Sequence, residues 1–319
     1  MIDLKSLHSL LRCPGCATPE LIIGALTGDL VCRSCANRYP VSDGRPVMLT
    51  ADNDVFRQDD YRNAVIVDTH AEGFDWQRLI PNPSVNLASE RVLGRLRELL
   101  ESLPSAVVLV VGGGQQRKWL DQRLGAGDSI QLVYSDIDVS ADVDLFCDGH
   151  DLPFIDAAFD AVVTTAVLEH VLYPERVAAE IVRVLKMDGI LYSELPFIQQ
   201  VHEGAYDFTR YTLSGHRRIF NGVRELESGM VAGPGTALVW AIENFALAFI
   251  VRPSLRNIVK AAVRIVFGWI KYFDLLLADK PAAMDGASCT YLLGRKIDGR
   301  VPDVEIVANY VGAKYLKHS

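Results

Sequence analysis

Long uncharged apolar runs are missing from this 319-residue chain, and that excludes an obvious membrane-spanning helix. The longest such run, Ala237 to Val251, is interrupted by Glu243 and Asn244 and falls short of the 18 or more residues a span needs. A secretory leader is not expected either, because the start, MIDLKSLHSLLRC, has no basic stretch followed by an apolar core. Cationic excess is also lacking: 32 Lys and Arg stand against 40 Asp and Glu, a net charge of −8. That balance argues against a general nucleic-acid binder, although a local basic patch remains compatible with it. Cysteine is scarce, six residues in all, which suits a reducing compartment and a metal site better than a disulfide scaffold. A cytoplasmic protein is the expectation. What is present is ordinary globular material, 50% hydrophobic and 23% charged, long enough for one large domain and a smaller one.

Four of the six cysteines form two CxxC pairs, Cys13-Pro14-Gly15-Cys16 and Cys32-Arg33-Ser34-Cys35, with fifteen residues between them. Cys147 and Cys289 stand alone. This spacing lies within the pattern of a four-thiolate zinc site and favours zinc over two redox pairs. Each CxxC places two thiolates on one turn, and two facing turns complete a tetrahedron. Four protein ligands leave no open position, so Cys13, Cys16, Cys32 and Cys35 are expected to hold a structural Zn2+. So small a module buries too little apolar surface to fold alone, and the metal would supply much of its folding energy. The stretch from Leu10 to Leu49 resembles the zinc-ribbon family of small methyltransferase-activator proteins, down to its ending Tyr39-Pro40-Val41, Asp43-Gly44 and Pro46-Val47. The resemblance implies a module for protein or RNA contact rather than an active site.

Residues 51–85 read as a charged, irregular linker, with Trp76 expected to pack it onto the main domain. A helix is predicted from about Asn86 to Ser102, stopped by Pro104. Beyond it the apolar pattern changes to short buried strands separated by helices: Ala106–Val111, Ile130–Tyr134, Val143–Phe146, Phe159–Thr164 and Ile190–Glu194. Two further strands are placed within Val223–Val231 and at Cys289–Leu293. Alternation of this kind predicts an α/β, doubly wound seven-stranded Rossmann-like sheet. The domain division is then 1–50 zinc ribbon, 51–85 linker and 86–319 catalytic domain, with a helical insertion at about 235–285.

Gly112, Gly113 and Gly114 follow the first strand, and Asp136 ends the next one. A glycine turn lets backbone approach a ligand, and an acid about twenty residues on can grip a ribose, with Asp138 as the fallback. Arg117 stands where a dinucleotide fingerprint needs glycine, and no GKS/T sequence follows. The turn therefore suits a nucleoside without a pyrophosphate, and S-adenosylmethionine is the common one. Residues 106–196 resemble class I S-adenosylmethionine-dependent methyltransferases, through VVLVVGGG, YSDID, CDGHDLPFIDAAFDAVVTTAVLEHV and EIVRVLKMDGILYSELPF. The resemblance implies that Gly112 and Gly114 line the methionine moiety, Asp136 binds ribose, and Asp148 and Gly149 bracket the adenine. It also implies that Thr165, Ala166 and Glu169 lie beneath the sulfonium. One position departs from the family: Val110 stands where an acid is usual, which bears on affinity and catalysis.

Acceptor residues are expected in the polar, aromatic loop after the fifth strand, LPFIQQVHEGAYDFTRYTLSGHRRIF. It resembles a branch of these enzymes associated with sugar or lipid-linked acceptors. His202 is the first candidate base, with Asp207 and Glu194 as alternatives; a purely structural pairing of Asp207 with Arg210 competes with that role. His170 reads as structural. In the insertion, two helices, 237–251 and 255–278, are predicted, the second with Arg256, Lys260, Arg264 and Lys271 along one face. A basic stripe with apolar surface and Trp suits peripheral membrane contact, a homodimer interface or ordinary packing. The leading expectation is a methyltransferase acting on a small sugar, lipid-linked or quinone-like acceptor. An RNA methyltransferase and an inactive partner-binding relative are the alternatives.

Overall fold

A strand apolar at every position needs cover on both faces, and Ala106–Val111 obtains it inside a seven-stranded sheet. The computed structural model describes residues 4–24, 28–61, 80–125 and 129–314; Trp76 lies outside the described residues. The N-terminal part consists of α1 (Leu4–His8), β1 (Leu21–Ile23), β2 (Leu30–Cys32), β3 (Arg38–Tyr39), β4 (Val41–Ser42) and β5 (Arg45–Pro46). Strands β1–β3 form one antiparallel sheet and β4–β5 a second. Then come α2 (Ser89–Glu101), β6 (Ala106–Val111), α3 (Arg117–Leu124), β7 (Ile130–Asp136), β8 (Leu145–Phe146), β9 (Phe159–Thr165), α4 (Pro174–Val184) and β10 (Leu185–Pro196). The chain continues through α5 (Leu213–Ile219), β11 (Val223–Ala232), α6 (Pro234–Ala248), α7 (Pro253–Phe267), α8 (Asp274–Leu277), β12 (Cys289–Lys296) and α9 (Asp303–Ala308).

The large sheet runs β11-β12-β10-β9-β6-β7-β8, with β12 antiparallel to both neighbours and the other pairs parallel. Its strand order reverses beside β6, which opens a crevice at the carboxyl ends of the strands. The predicted strands are present, with shifts that have local causes. The third is shorter than expected, because only Leu145 and Phe146 pair with β7. The fifth begins earlier, at Leu185, and is irregular before Ile190, where Asp188 takes φ +63°. The predicted 255–278 helix is broken: α7 ends at Phe267, and a 3-10 stretch, Gly268–Phe273, leads into α8.

The ribbon is joined to the sheet. Val47 bridges Phe146 in parallel and the Met48 N–H donates to the Phe146 carbonyl at 2.8 Å, so the chain leaving the ribbon covers the edge strand β8. Leu11, Leu21, Leu30 and Tyr39 share one buried cluster with Leu109, Leu145 and Phe154. The buried Arg45 donates to the Val143 carbonyl at 2.7 Å and pairs with Asp142. The ribbon thus packs against the large sheet of its own chain.

The insertion divides its predicted basic stripe: Arg264 and Lys271 turn inward, whereas Arg256 stays exposed and only reaches back to a helix end. Arg264 pairs with Glu243, which is 2% exposed; Lys271 is buried and donates to the Asn82 carbonyl; Arg256 donates to the Leu247 and Ile250 carbonyls at the end of α6. A buried carboxylate draws Arg264 inward, and orphan carbonyls at a helix end hold Arg256. The start of α6 is fixed the same way: the buried Asp274 accepts from the backbone N–H groups of Gly233, Gly235 and Thr236, opposite the helix dipole. Phe245, Phe249, Val251, Ile258, Ile265, Trp269 and Leu276 face outward, Val251 being 91% exposed. No described helix is long and apolar enough to cross a membrane.

Candidate functional site

Two identical turns build the cysteine cluster. After each CxxC the chain reverses through an alanine in the left-handed region, Ala17 at φ +58° and Ala36 at +61°, whose N–H donates to the carbonyl of Cys13 or Cys32 respectively. The four sulfurs lie within 4.8 Å of one another, with Cys13–Cys35 at 3.6 Å and Cys16–Cys32 at 3.5 Å. Zinc–sulfur bonds of about 2.3 Å place tetrahedral sulfurs roughly 3.8 Å apart, so the cluster fits zinc. Burial works to raise the Cys32 thiol, but N–H groups of Cys35 and Ser34 and the Thr18 hydroxyl outweigh it and bring it down to about 6.

A cavity of about 360 Å³ opens at the carboxyl ends of β6, β7 and β8. Gly112, Asp136, Asp148 and Gly149 line it, as expected. Gly112 takes φ +69°, and a Cβ there would meet the Val167 side chain at 2.3 Å, so the turn and the floor of the cavity both require glycine. Asp136 accepts from the backbone of Ile137 at 2.7 Å, Asp138 at 3.1 Å and Gly114 at 3.2 Å, while burial pushes its carboxyl above the ordinary value. Asp138 is exposed and accepts from Ser140. Burial also works to raise Asp148, but the His150 ring at 2.5 Å, its backbone N–H and the Asn53 amide hold the carboxyl below its usual range.

Four predicted cofactor residues stand back from this cavity. Gly114 bonds Asp136 and packs on Ala141, where a Cβ would come within 2.3 Å. Thr165 donates to the Gln116 side chain at 3.1 Å and so ties the end of β9 to the glycine turn. Ala166, next to it, sits at φ +55°, a conformation that concentrates at functional sites. Glu169 is fully buried, both carboxylate oxygens lack a hydrogen-bond partner, and burial pushes it up to about 8. Val110 is buried among Tyr134 and Val163, so the position of the usual acid belongs to the apolar core.

Sequence reasoning missed the other wall. Asn53 and Phe56, assigned to the linker, line the cavity with Tyr206 and Phe208. Asn53 donates to Asp148 at 2.9 Å, and the Phe56 and Tyr206 rings stack 6.4 Å apart. No spacing rule marks such residues, because they come from segments distant in sequence.

At the acceptor end the candidate bases part ways. Asp207 accepts from the His202 N–H at 2.9 Å and from Arg210; burial opposes its charge, but these bonds hold it far below the ordinary carboxylate range, so it positions His202 rather than taking protons. Glu194 is half-buried, accepts from Ser89 at 2.5 Å and from Tyr192, and does not line the cavity. Burial raises its carboxyl. His202 lies beside His170, ring centroids 4.9 Å apart, and 6.3 Å from Trp240 of α6. His170, read from sequence as structural, lines the cavity.

A [4+2]-cyclase, SpnF, is similar over 69% of this chain and 86% of its own, at 18% identity and a TM-score of 0.43. A phosphoethanolamine N-methyltransferase 2 from Haemonchus contortus, in complex with S-adenosyl-L-methionine, matches 70% of this chain and 56% of its own at 13% identity and TM-score 0.43. A complex containing the Haloferax volcanii Trm112 methyltransferase activator matches 66% of this chain and 92% of the compared chain at 18% identity and TM-score 0.39. No curated protein sequence matches. Two family models match successive parts of the chain, Trm112p-like protein over residues 5–44 and methyltransferase domain over residues 109–193. The chain thus joins a Trm112p-like ribbon to a methyltransferase domain.

Proposed function

We propose that the protein transfers a methyl group from S-adenosylmethionine to a small acceptor, a sugar or quinone-like group that is lipid-linked. The observation that carries this reading is the cavity lined by Gly112, Asp136, Asp148 and Gly149 at the strand ends of the matched methyltransferase domain. Asp136 is placed for the ribose hydroxyls, and Asp148 with Gly149 for the adenine. Gly114 and Thr165 act at one remove by shaping the glycine turn. The bound donor supplies a methyl group already activated on a sulfonium, so the protein mainly aligns the reactants, at a gain that can reach ~7–11 kcal/mol. His202, next to the cavity-lining His170, is our candidate for the side chain that takes an acceptor proton. Zinc in the four-cysteine cluster is structural.

The α6–α7 hairpin supports the lipid-linked class. Its exposed surface is apolar and aromatic, and the only acids between Gly233 and Ala278, Glu243 and Asp274, are buried. Arg252 and Arg256 are the exposed charges at its tip. An apolar face bordered by cations and carrying exposed Trp269 and Tyr272 complements an anionic bilayer surface. Trp240, at the base of the same hairpin, reaches His202, so a membrane-docked face leads to the acceptor end. RNA finds less support: Arg12, Arg45, Arg117, Arg183, Arg217 and Arg264 are engaged in ion pairs.

Calorimetry with S-adenosylmethionine on the zinc-loaded protein tests the first reading. Binding is expected, and Asp136→Ala should weaken it by about tenfold or more, since a hydrogen bond to a charged group contributes ~1.5–3 kcal/mol. No binding to the parent protein would remove the enzyme reading. Flotation with phosphatidylglycerol vesicles tests the docking: the parent should float, Phe245→Asp with Phe249→Asp should not, and phosphatidylcholine vesicles should bind less. A protein that stays at the bottom with both vesicles, or that dimerises through this face in solution, refutes it.

A further inference from the structure

Glu169, His170 and His202 come together between the cavity and the hairpin, and their ligand atoms all lie within 4.8 Å of one another. Glu169 is the unusual member, completely buried with neither carboxylate oxygen hydrogen-bonded. An unmet buried polar group costs roughly 1–3 kcal/mol, more when charged, and a cation removes that penalty. Both imidazoles are held from their far sides. His170 Nδ1 lies 2.7 Å from the Tyr206 carbonyl, which keeps its proton there and leaves Nε2 directed at Glu169, 3.7 Å from Oε1. His202 Nδ1 faces the Gln200 carbonyl at 3.2 Å and the Asp207 carboxylate at 3.5 Å, leaving its Nε2 available. Outward Nδ1–H bonds to carbonyls and carboxylates are what orient metal-binding histidines.

We propose that Glu169, His170 and His202 bind a divalent transition ion of the manganese-to-zinc series, which holds an oxygen of the methyl acceptor. Two imidazoles and one carboxylate suit these ions, whereas magnesium prefers oxygen ligands throughout. Bonds of about 2.0–2.2 Å require the three atoms to draw together to roughly 3 Å, a closure within reach of side-chain rotation. Three protein ligands leave coordination open for the acceptor. The role of the ion in turnover rests on the methyltransferase reading; its binding does not. The metal lowers the pKa of an acceptor hydroxyl, whose proton leaves to solvent. The oxygen lone pair then forms the bond to the methyl carbon, and the carbon–sulfur pair passes to sulfur, leaving a neutral thioether. In this arrangement His202 is a ligand and the metal replaces it as the agent that labilises the proton.

The test uses the full chain with zinc in the ribbon, titrated with Mn2+ and followed by electron paramagnetic resonance. Manganese does not displace zinc from four thiolates. One Mn2+ per chain is expected, with affinity reduced by at least about tenfold in Glu169→Gln and in His202→Ala. Glu169→Gln removes a buried acid and should not lower the melting temperature, which separates lost ligation from lost folding. No saturable binding of Mn2+ or Co2+ to the zinc-loaded parent, or binding that both variants leave intact, overturns the site. Calorimetry with S-adenosylmethionine on the same preparation reports the methyltransferase reading independently: donor binding without metal binding sinks this inference alone.

Discussion

The two additions to the methyltransferase sheet, the N-terminal ribbon and the helical insertion before the last strand, are built in opposite senses. The ribbon turns its apolar side chains toward the sheet, with Leu11 and Tyr39 in the same buried cluster as Leu109 and Phe154, and covers the edge strand β8. The helical insertion turns part of its charge inward, Arg264 to Glu243 and Lys271 to the Asn82 carbonyl, and leaves Phe245 and Phe249 more than two-thirds exposed. The ribbon is finished by the chain it belongs to. The hairpin has the composition of a core element with its core side uncovered, which calls for an outside partner. Each addition also touches the site: the segment leaving the ribbon lines the cofactor cavity through Asn53 and Phe56, and the hairpin reaches His202 through Trp240.

This contrast is breakable by experiment. The largest effect should come from zinc removal, because metal binding supplies on the order of 10 kcal/mol to modules of this kind. Chelation should unfold the ribbon and, through the shared core, lower the melting temperature of the whole domain; calorimetry showing an unchanged main transition would mean the two are not joined as described. Next comes Glu243→Ala, which strands Arg264 beside a buried site and should cost about 3 kcal/mol, read as faster hydrogen exchange confined to α6 and α7. Protection unchanged in both helices would count against the inward-facing charges. The smallest stability change is expected where the exposed area is largest: Phe245→Ser with Phe249→Ser should alter stability by less than about 0.5 kcal/mol while reducing vesicle binding. A large drop in melting temperature would instead place those rings in a core.

Much of the sheet was legible because central parallel strands have an unambiguous composition. Ala106–Val111 is apolar throughout and Phe159–Thr165 is buried at all but one position, each bounded by glycine or acidic turns, so their limits were read to within a residue. The cysteine spacing was equally direct, since two thiolate pairs at that separation have few other uses. Which residues of the α7 stripe turn inward was not legible, for a physical reason. Helical spacing tells which residues share a face, but whether a row of Arg and Lys meets water or a buried carboxylate depends on Glu243, in another helix. His170 was undervalued for a similar reason, as its neighbour His202 is 32 residues away and arrives by the return of the loop after β10.

By itself the sequence determined the class of sheet, the zinc cluster and the positions of Gly112, Asp136 and Asp148, because each depends on residues close together in the chain or on a repeating period. Only the tertiary structure decided what faces what: Asn53 over Asp148, Asp207 bound to Arg210, Glu169 enclosed beside two imidazoles, and Arg264 turned inward to Glu243. Those arrangements join segments far apart in sequence, where burial and charge pairing, not local propensity, select the outcome.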